Sequence, residues 1–120
     1  MSIRDKILAL KSTIPTATMT IGGIGEIHLR GLTAGERDSW EQAIYLTRGK
    51  ITGMKNLRAS LVVRCLIDET GARIFSDSDI DELGAIPAKI VDKLYEKCQV
   101  LSGLREDDIV ELEKNFVAAD

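Results

Sequence analysis

The sequence predicts a mainly α, α+β single domain spanning residues 1–120, with about five helices and one or two short antiparallel β-hairpins. Three observations lead to this fold class. Most apolar residues recur at spacings of three and four, which is the period of an amphipathic helix. Turn residues at 22–25 and at 68–71 separate short β-branched runs. The length of 120 residues suits one domain with its own hydrophobic core.

The first predicted helix begins after Ser2, a capping residue, and ends at Pro15. Its apolar side chains share one face, formed by Ile3, Ile7, Leu10 and Ile14. The runs 16–21 and 26–30 are strand-like, and the glycines between them favour a hairpin turn. His28 lies in the second run, where we expect a surface or edge imidazole without a catalytic role.

A capping box opens the second helix, because Thr33 and Glu36 can each bond the other's backbone amide. The predicted helix ends near Arg48-Gly49. We expect one face of it to carry Trp40, Ala43, Ile44 and Thr47. Trp40, the single tryptophan, is interpreted as a core anchor.

The second half alternates helices and turns. Asn56 can cap a helix that leads into a small hairpin over residues 66–75, with its turn at 68–71. Ser76 or Asp77 caps a short helix that stops at Gly84. The remaining predictions are a longest helix with Pro87 at its first position and a final acidic helix over residues 105–117.

The charges are distributed unevenly along the chain. Residues 1–67 carry ten Lys/Arg and five Asp/Glu, a balance of +5, whereas residues 68–120 carry six and fourteen, a balance of −8. No apolar run reaches the roughly 20 residues that cross a bilayer, and the N-terminal residues do not resemble a secretory signal. We therefore expect a cytosolic protein whose Cys65 and Cys98 are free, buried thiols.

The sequence gives no sign of catalysis, and we expect neither an enzyme nor a cofactor. Nothing in the sequence supports a catalytic triad around the single histidine, His28, which lies in a predicted strand. A single histidine without a CxxC motif also removes most zinc arrangements. The acidic run at residues 77–82 begins like a calcium loop, but its sixth and twelfth positions hold Glu82 and Ala88 instead of Gly and Glu. Helix capping explains these carboxylates better than a metal site does.

Three interpretations of the charged segments remain open, and a solvated charged surface is the simplest of them. The basic stretch at residues 48–64 could bind nucleic acid, although it lacks aromatic residues for stacking. Alternatively, opposite charges could join copies head to tail, since an open series needs two complementary patches. The candidate residues for this contact are Arg48, Lys50, Lys55, Arg58, Glu106, Asp107, Asp108, Glu111 and Glu113. An apolar contact through Ile3, Ile7 and Leu10 is the other possibility for self-association.

Four segments follow one another along the chain: Gly31-Leu32-Thr33-Ala34-Gly35-Glu36-Arg37-Asp38, residues 58–71, Ile74-Phe75-Ser76-Asp77 and Leu83-Gly84-Ala85-Ile86-Pro87-Ala88. In this order they resemble the tail assembly chaperones of siphophages of the lambdoid class. The resemblance covers roughly residues 30–105 and rests on their order and spacing.

The resemblance implies a protein of the host cytoplasm that coats the tape measure protein, helps to recruit tail tube subunits and is absent from the mature virion. It also implies a homo-oligomer without catalytic residues, often made in two lengths by a −1 ribosomal frameshift. Glu113-Lys114-Asn115 can be encoded by a sequence that permits such a slip. An α-helical adaptor or regulator, or a nucleic-acid-binding regulator, remains the alternative function.

Overall fold

The computed structural model describes residues 2–46 and 56–104. These residues form five α-helices and one three-stranded antiparallel sheet, so the predicted combination of helices and antiparallel strands is confirmed. The elements are α1 (Ile3–Leu8), β1 (Thr16–Ile21), β2 (Gly25–Arg30), α2 (Ala34–Leu46), α3 (Leu57–Cys65), β3 (Leu66–Ile67), α4 (Ile80–Gly84) and α5 (Ala88–Leu101). The predicted helix over residues 105–117 lies outside the described residues.

The N-terminal helix is shorter than predicted. The Ser2 hydroxyl accepts a hydrogen bond from the Asp5 amide at 3.1 Å, as expected of a cap. The α-helix ends at Leu8 and continues as a 3-10 turn, Ala9–Ser12. Here Ser12 and Thr13 donate side-chain hydrogen bonds to carbonyls three residues earlier, and such bonds compete with the regular helical pattern.

The predicted hairpin of β1 and β2 is confirmed, with Thr16 opposite Arg30 and Ile21 opposite Gly25. Gly23 and Gly25 have φ values of 89° and 101°, which favour glycine. The Ile24 amide closes the turn on the Ile21 carbonyl at 3.1 Å.

The second predicted hairpin also forms, but it joins the first in one sheet. Asp68 shapes its turn, because one carboxylate oxygen accepts hydrogen bonds from the amides of Thr70 and Ala72. Ile67 then bridges to Arg73 across the turn. Strand β3 pairs antiparallel with β2, so β2 is the central strand of the order β1-β2-β3.

The core surrounds α3, between α2, α5 and the inner face of the sheet. The fully buried side chains that define it are Leu29, Trp40, Leu61, Val62, Val63, Cys65 and Cys98. Trp40 and Ile44, four residues apart, carry the buried face of α2. Ala43, three residues after Trp40, lies on the same side of α2, but its side chain is exposed; Thr47 is outside the described residues.

Candidate protein-interaction surfaces

The predicted apolar contact residues lie together on the surface of the N-terminal segment. Ile3, Ile7 and Leu10 are 69%, 59% and 59% exposed, and Leu8 is also exposed. No residue of α1 or of the 3-10 turn after it is buried. Contiguous exposed apolar side chains are typical of a contact surface, whereas isolated ones need no explanation.

Of the nine charged residues predicted to join copies, only Arg58 lies among the described residues, and it has partners within the chain. Its Nε atom is 3.2 Å from Oδ1 of Asp92 on α5. Its guanidinium carbon lies 5.7 Å from the centre of the Tyr95 ring, a cation–π distance. The Arg58 side chain nevertheless remains 62% exposed, so part of it still faces solvent.

The next arginine along α3, Arg64, is buried and makes its contacts within the protein. Arg64 is only 9% exposed; it donates to the Ser60 carbonyl at 2.6 Å and lies 3.6 Å from the carboxylate of Asp77. Burial lowers the pKa of Arg64, and the negative charge of Asp77 opposes this effect. Arg73 contacts the other Asp77 oxygen at 3.1 Å. Neither the burial of Arg64 nor its pairing was predicted, and both remove it from the candidate nucleic-acid surface.

Three acidic side chains within residues 77–82 form ion pairs or hydrogen bonds with other residues of the protein. Asp77 pairs with the two arginines described above. The Asp79 carboxylate accepts from the Ser76 amide at 2.8 Å, and Asp81 accepts from the Asn56 side chain at 2.9 Å. Within residues 2–46 and 56–104, no group of three or more His, Cys, Asp or Glu side chains could hold a metal ion.

Four single residues lie where the sequence suggested or close to it. Trp40 is fully buried and its Nε1 donates to the Ser60 hydroxyl at 2.9 Å, so the core-anchor interpretation is confirmed. Cys65 and Cys98 are free and buried as predicted; their mutual hydrogen bond and burial raise the pKa of Cys98. His28 is partly exposed and lies on the central strand, 3.4 Å from the Thr18 hydroxyl and 3.9 Å from Glu26.

The capping box at the start of α2 is confirmed and extended by an ion pair. Thr33 and Glu36 bond each other's amides at 2.9 and 3.1 Å. The Glu36 carboxylate also accepts hydrogen bonds from both NH₂ groups of the Arg30 guanidinium, one of them at 2.8 Å. The Arg30 hydrogen bond lowers the pKa of Glu36 to about 2. This pair, which the sequence analysis missed, fixes the end of β2 to the start of α2.

Comparison with known proteins adds two findings. The sequence profile of a family described as phage tail assembly chaperone matches residues 2–115. A solved structure, that of the bacteriophage HK97 tail assembly chaperone, has a similar fold, with a TM-score of 0.59 and 17% sequence identity. The similarity covers 83% of this chain and 98% of that one. No curated protein matches the sequence. Among the described residues, no helix is long and apolar enough to span a membrane.

Proposed function

The chain belongs to the phage tail assembly chaperone family, and from this premise we propose that it coats the tape measure protein and helps to recruit tail tube subunits. The family match over residues 2–115 is the observation that carries the proposal. The protein acts in the host cytoplasm, without catalysis, and leaves before the virion is complete. It works through protein contacts alone, which agrees with an exposed apolar face on α1.

Coating a long partner requires repeated copies, and we propose that these associate head to tail through opposite charges. The basic residues Arg48, Lys50, Lys55 and Arg58 of one copy face the acidic segment 106–113 of the next. The uneven charges of the two halves, +5 and −8, support this arrangement. Exposed ion pairs contribute only about 0–1 kcal/mol each, so they chiefly set register and association rate.

Co-expression tests the partner. The chain is produced together with the tape measure protein of the same phage, and the soluble fraction of the tape measure protein is measured. We expect the chaperone to raise this fraction and to co-purify in several copies per tape measure chain. A tape measure protein that is equally insoluble with and without the chaperone contradicts the proposal.

Sedimentation of the chaperone alone tests the charged contact. We expect oligomers to dissociate as salt rises, because the screening length falls below about 10 Å above 0.1 M. Oligomers that are unchanged at high salt would remove the electrostatic contact and favour one through Ile3, Ile7 and Leu10.

We also propose that the gene yields a longer product by a −1 frameshift at Glu113-Lys114-Asn115. These codons can read GAA-AAA-AAC, in which both ribosome-bound tRNAs can pair again one base back. The gene sequence tests this directly. A Lys114 codon of AAG with no other slippery heptamer nearby, or the absence of an open −1 frame beyond it, contradicts the proposal.

A further inference from the structure

Strand β1 forms one edge of the sheet. Within residues 2–46 and 56–104, the strand order is β1-β2-β3, so β1 is hydrogen-bonded to β2 on one side only. Strand β3, at the opposite edge, has two residues, and Ile67 bridges to Arg73 there. Strand β1 has six residues and therefore presents the longer edge of the described sheet. The backbone groups along such an edge can pair with a strand from another chain.

The register of the hairpin shows which backbone groups of β1 point outward. The Gly31 amide donates to the Pro15 carbonyl at 2.8 Å, so these two residues form a hydrogen-bonded pair. Hydrogen-bonded and non-hydrogen-bonded pairs alternate along an antiparallel ladder. Because the strands continue in this register, the N–H and C=O groups of Thr16, Thr18 and Thr20 point away from β2. The side chains of these three threonines are exposed as well.

The composition of β1 does not protect this edge from pairing. Natural proteins discourage contacts at sheet edges with charged side chains, proline or β-bulges. The six residues of β1, Thr-Ala-Thr-Met-Thr-Ile, contain neither a charge nor a proline, and their pairing with β2 runs without a bulge. Four of the six are β-branched, which favours an extended backbone. This edge therefore has the properties of a strand that can accept a neighbour.

The side-chain pattern of β1 is complementary to itself. In an antiparallel pair, residues directly opposite each other point to the same face of the sheet. If Thr18 of one copy lies opposite Thr18 of another, Thr16 lies opposite Thr20. Ala17 then lies opposite Met19, on the face that packs against the core. In this register threonines meet threonines on the exposed face, and each outward N–H and C=O group of the three threonines gains a partner.

We propose that β1 is an interface between two copies of the chain, which pair antiparallel through Thr16, Thr18 and Thr20 and join two three-stranded sheets into one. Such a two-fold contact closes on itself, so it joins copies in pairs and differs from the head-to-tail contact. The paired strands contain no charged residue, so we expect the contact to persist as salt rises. The inference concerns the chain alone and does not depend on the client protein.

Sedimentation over a range of protein concentrations tests the interface at about 0.5 M salt, where exposed charges are screened. The wild type is compared with Thr18→Pro, which removes an outward N–H, and with Thr18→Val, which keeps it and stays β-branched. Proline is tolerated at a sheet edge where the N–H points away from the neighbouring strand, so we expect both variants to fold.

We expect the dissociation constant of the dimer to rise at least about tenfold in Thr18→Pro, because each copy loses a donor, and less than about twofold in Thr18→Val. A wild type that stays monomeric at every concentration overturns the proposal. So does a dissociation constant that Thr18→Pro leaves unchanged, as a contact through Ile3, Ile7 and Leu10 would.

Disulfide cross-linking tests the register independently of how Thr18→Pro folds. Thr18→Cys and its control Thr20→Cys each place one exposed cysteine on the same face of β1, whereas the natural Cys65 and Cys98 are buried. In the proposed register, the Cα atoms of the two copies of position 18 lie about 5.5 Å apart, within the range of a disulfide. The two copies of position 20 are four residues apart along the strands, or more than about 13 Å.

The chains are oxidised with diamide and run on a non-reducing gel. We expect a disulfide-linked dimer from Thr18→Cys and about tenfold less from Thr20→Cys, because only the first pair of cysteines is within reach. Equal amounts of dimer from the two chains, or none from Thr18→Cys, overturn the proposal. Neither experiment contains a tape measure protein, so its failure leaves the proposed function untouched.

Discussion

The helices α1 and α3 are both short and rich in apolar residues, yet one is exposed and the other forms the centre of the core. Helix α3 buries Leu61, Val62 and Val63 completely, whereas α1 buries none of its residues. The difference lies in how the apolar residues are distributed. In α3 they occupy most sides of the helix, which favours burial, whereas in the N-terminal segment Ile3, Ile7 and Leu10 form one stripe bordered by charges. The core thus depends on α3, and α1 retains apolar surface for contacts.

The same substitution in both regions tests this contrast. We expect Leu61→Ala to lower the free energy of unfolding by about 2–5 kcal/mol, because it leaves a cavity among fully buried neighbours. Leu10→Ala should cost less than about 1 kcal/mol, since its side chain is largely exposed. Urea denaturation of both variants measures the difference. Similar losses for the two would show that the N-terminal segment belongs to the core.

Two glycines, one closely packed and one in open space, allow the same comparison of buried and exposed positions for the backbone. A Cβ at Gly31 would meet the Leu101 carbonyl at 2.1 Å, and a backbone atom cannot easily move away. We expect Gly31→Ala to destabilise the protein by about 1–3 kcal/mol through this overlap. Gly35→Ala is the matched control, because nothing lies within 4 Å of its Cβ position and alanine favours helix. It should stabilise by up to about 0.5 kcal/mol in thermal unfolding. Destabilisation by both alanines to the same extent would contradict the argument.

Features formed by neighbouring residues could be predicted from the sequence. Contacts between residues far apart in the chain could not. The capping box of Thr33 and Glu36 and the turn at residues 22–25 are local patterns, and both are present. The pairing of β2 with β3 brings together residues far apart in the chain, as does the Gly31–Leu101 contact, and no local pattern encodes either.

The same limit applies to the candidate surface. Periodicity placed Ile3, Ile7 and Leu10 on one face, but only the packing of the chain shows that the described residues leave this face uncovered. Arg58 was expected to be a surface cation, and it is largely exposed. Its contact with Asp92 depends on how α3 packs against α5, which charge patterning along the sequence does not reveal.

A pH dependence is expected at the junction of β2 and α2. Arg30 lowers the pKa of Glu36 from its ordinary 4.5 to about 2. A carboxyl with a lowered folded-state pKa contributes stability above its unfolded pKa, and this contribution disappears as pH falls from about 4.5 to 2. Because a third of the side chain faces solvent, screening limits the effect to about 1 kcal/mol. Stability curves of wild type and Glu36→Gln should converge over this interval. A constant difference between the curves would contradict the assigned pKa.

The smallest expected effect concerns Arg58, which belongs to the core helix α3 but has an exposed side chain. Its exposed ion pair with Asp92 and its contact with Tyr95 predict that Arg58→Ala costs about 0.5–1 kcal/mol in unfolding. Asp92→Asn removes the same ion pair from the opposite side and keeps the cation. If Arg58 acts only within the chain, Asp92→Asn reduces stability less than Arg58→Ala, because the contact with Tyr95 remains, and both variants leave sedimentation unchanged.

The proposed head-to-tail contact predicts a different pattern for the same two variants. Arg58→Ala should then weaken self-association, whereas Asp92→Asn should leave it intact or strengthen it, because the released guanidinium can pair with acids of a neighbour. Sedimentation at low salt separates the two roles, since exposed charges interact over longer distances there. Unchanged association in both variants would assign Arg58 to the fold and leave Arg48, Lys50 and Lys55 as the basic residues of the proposed contact.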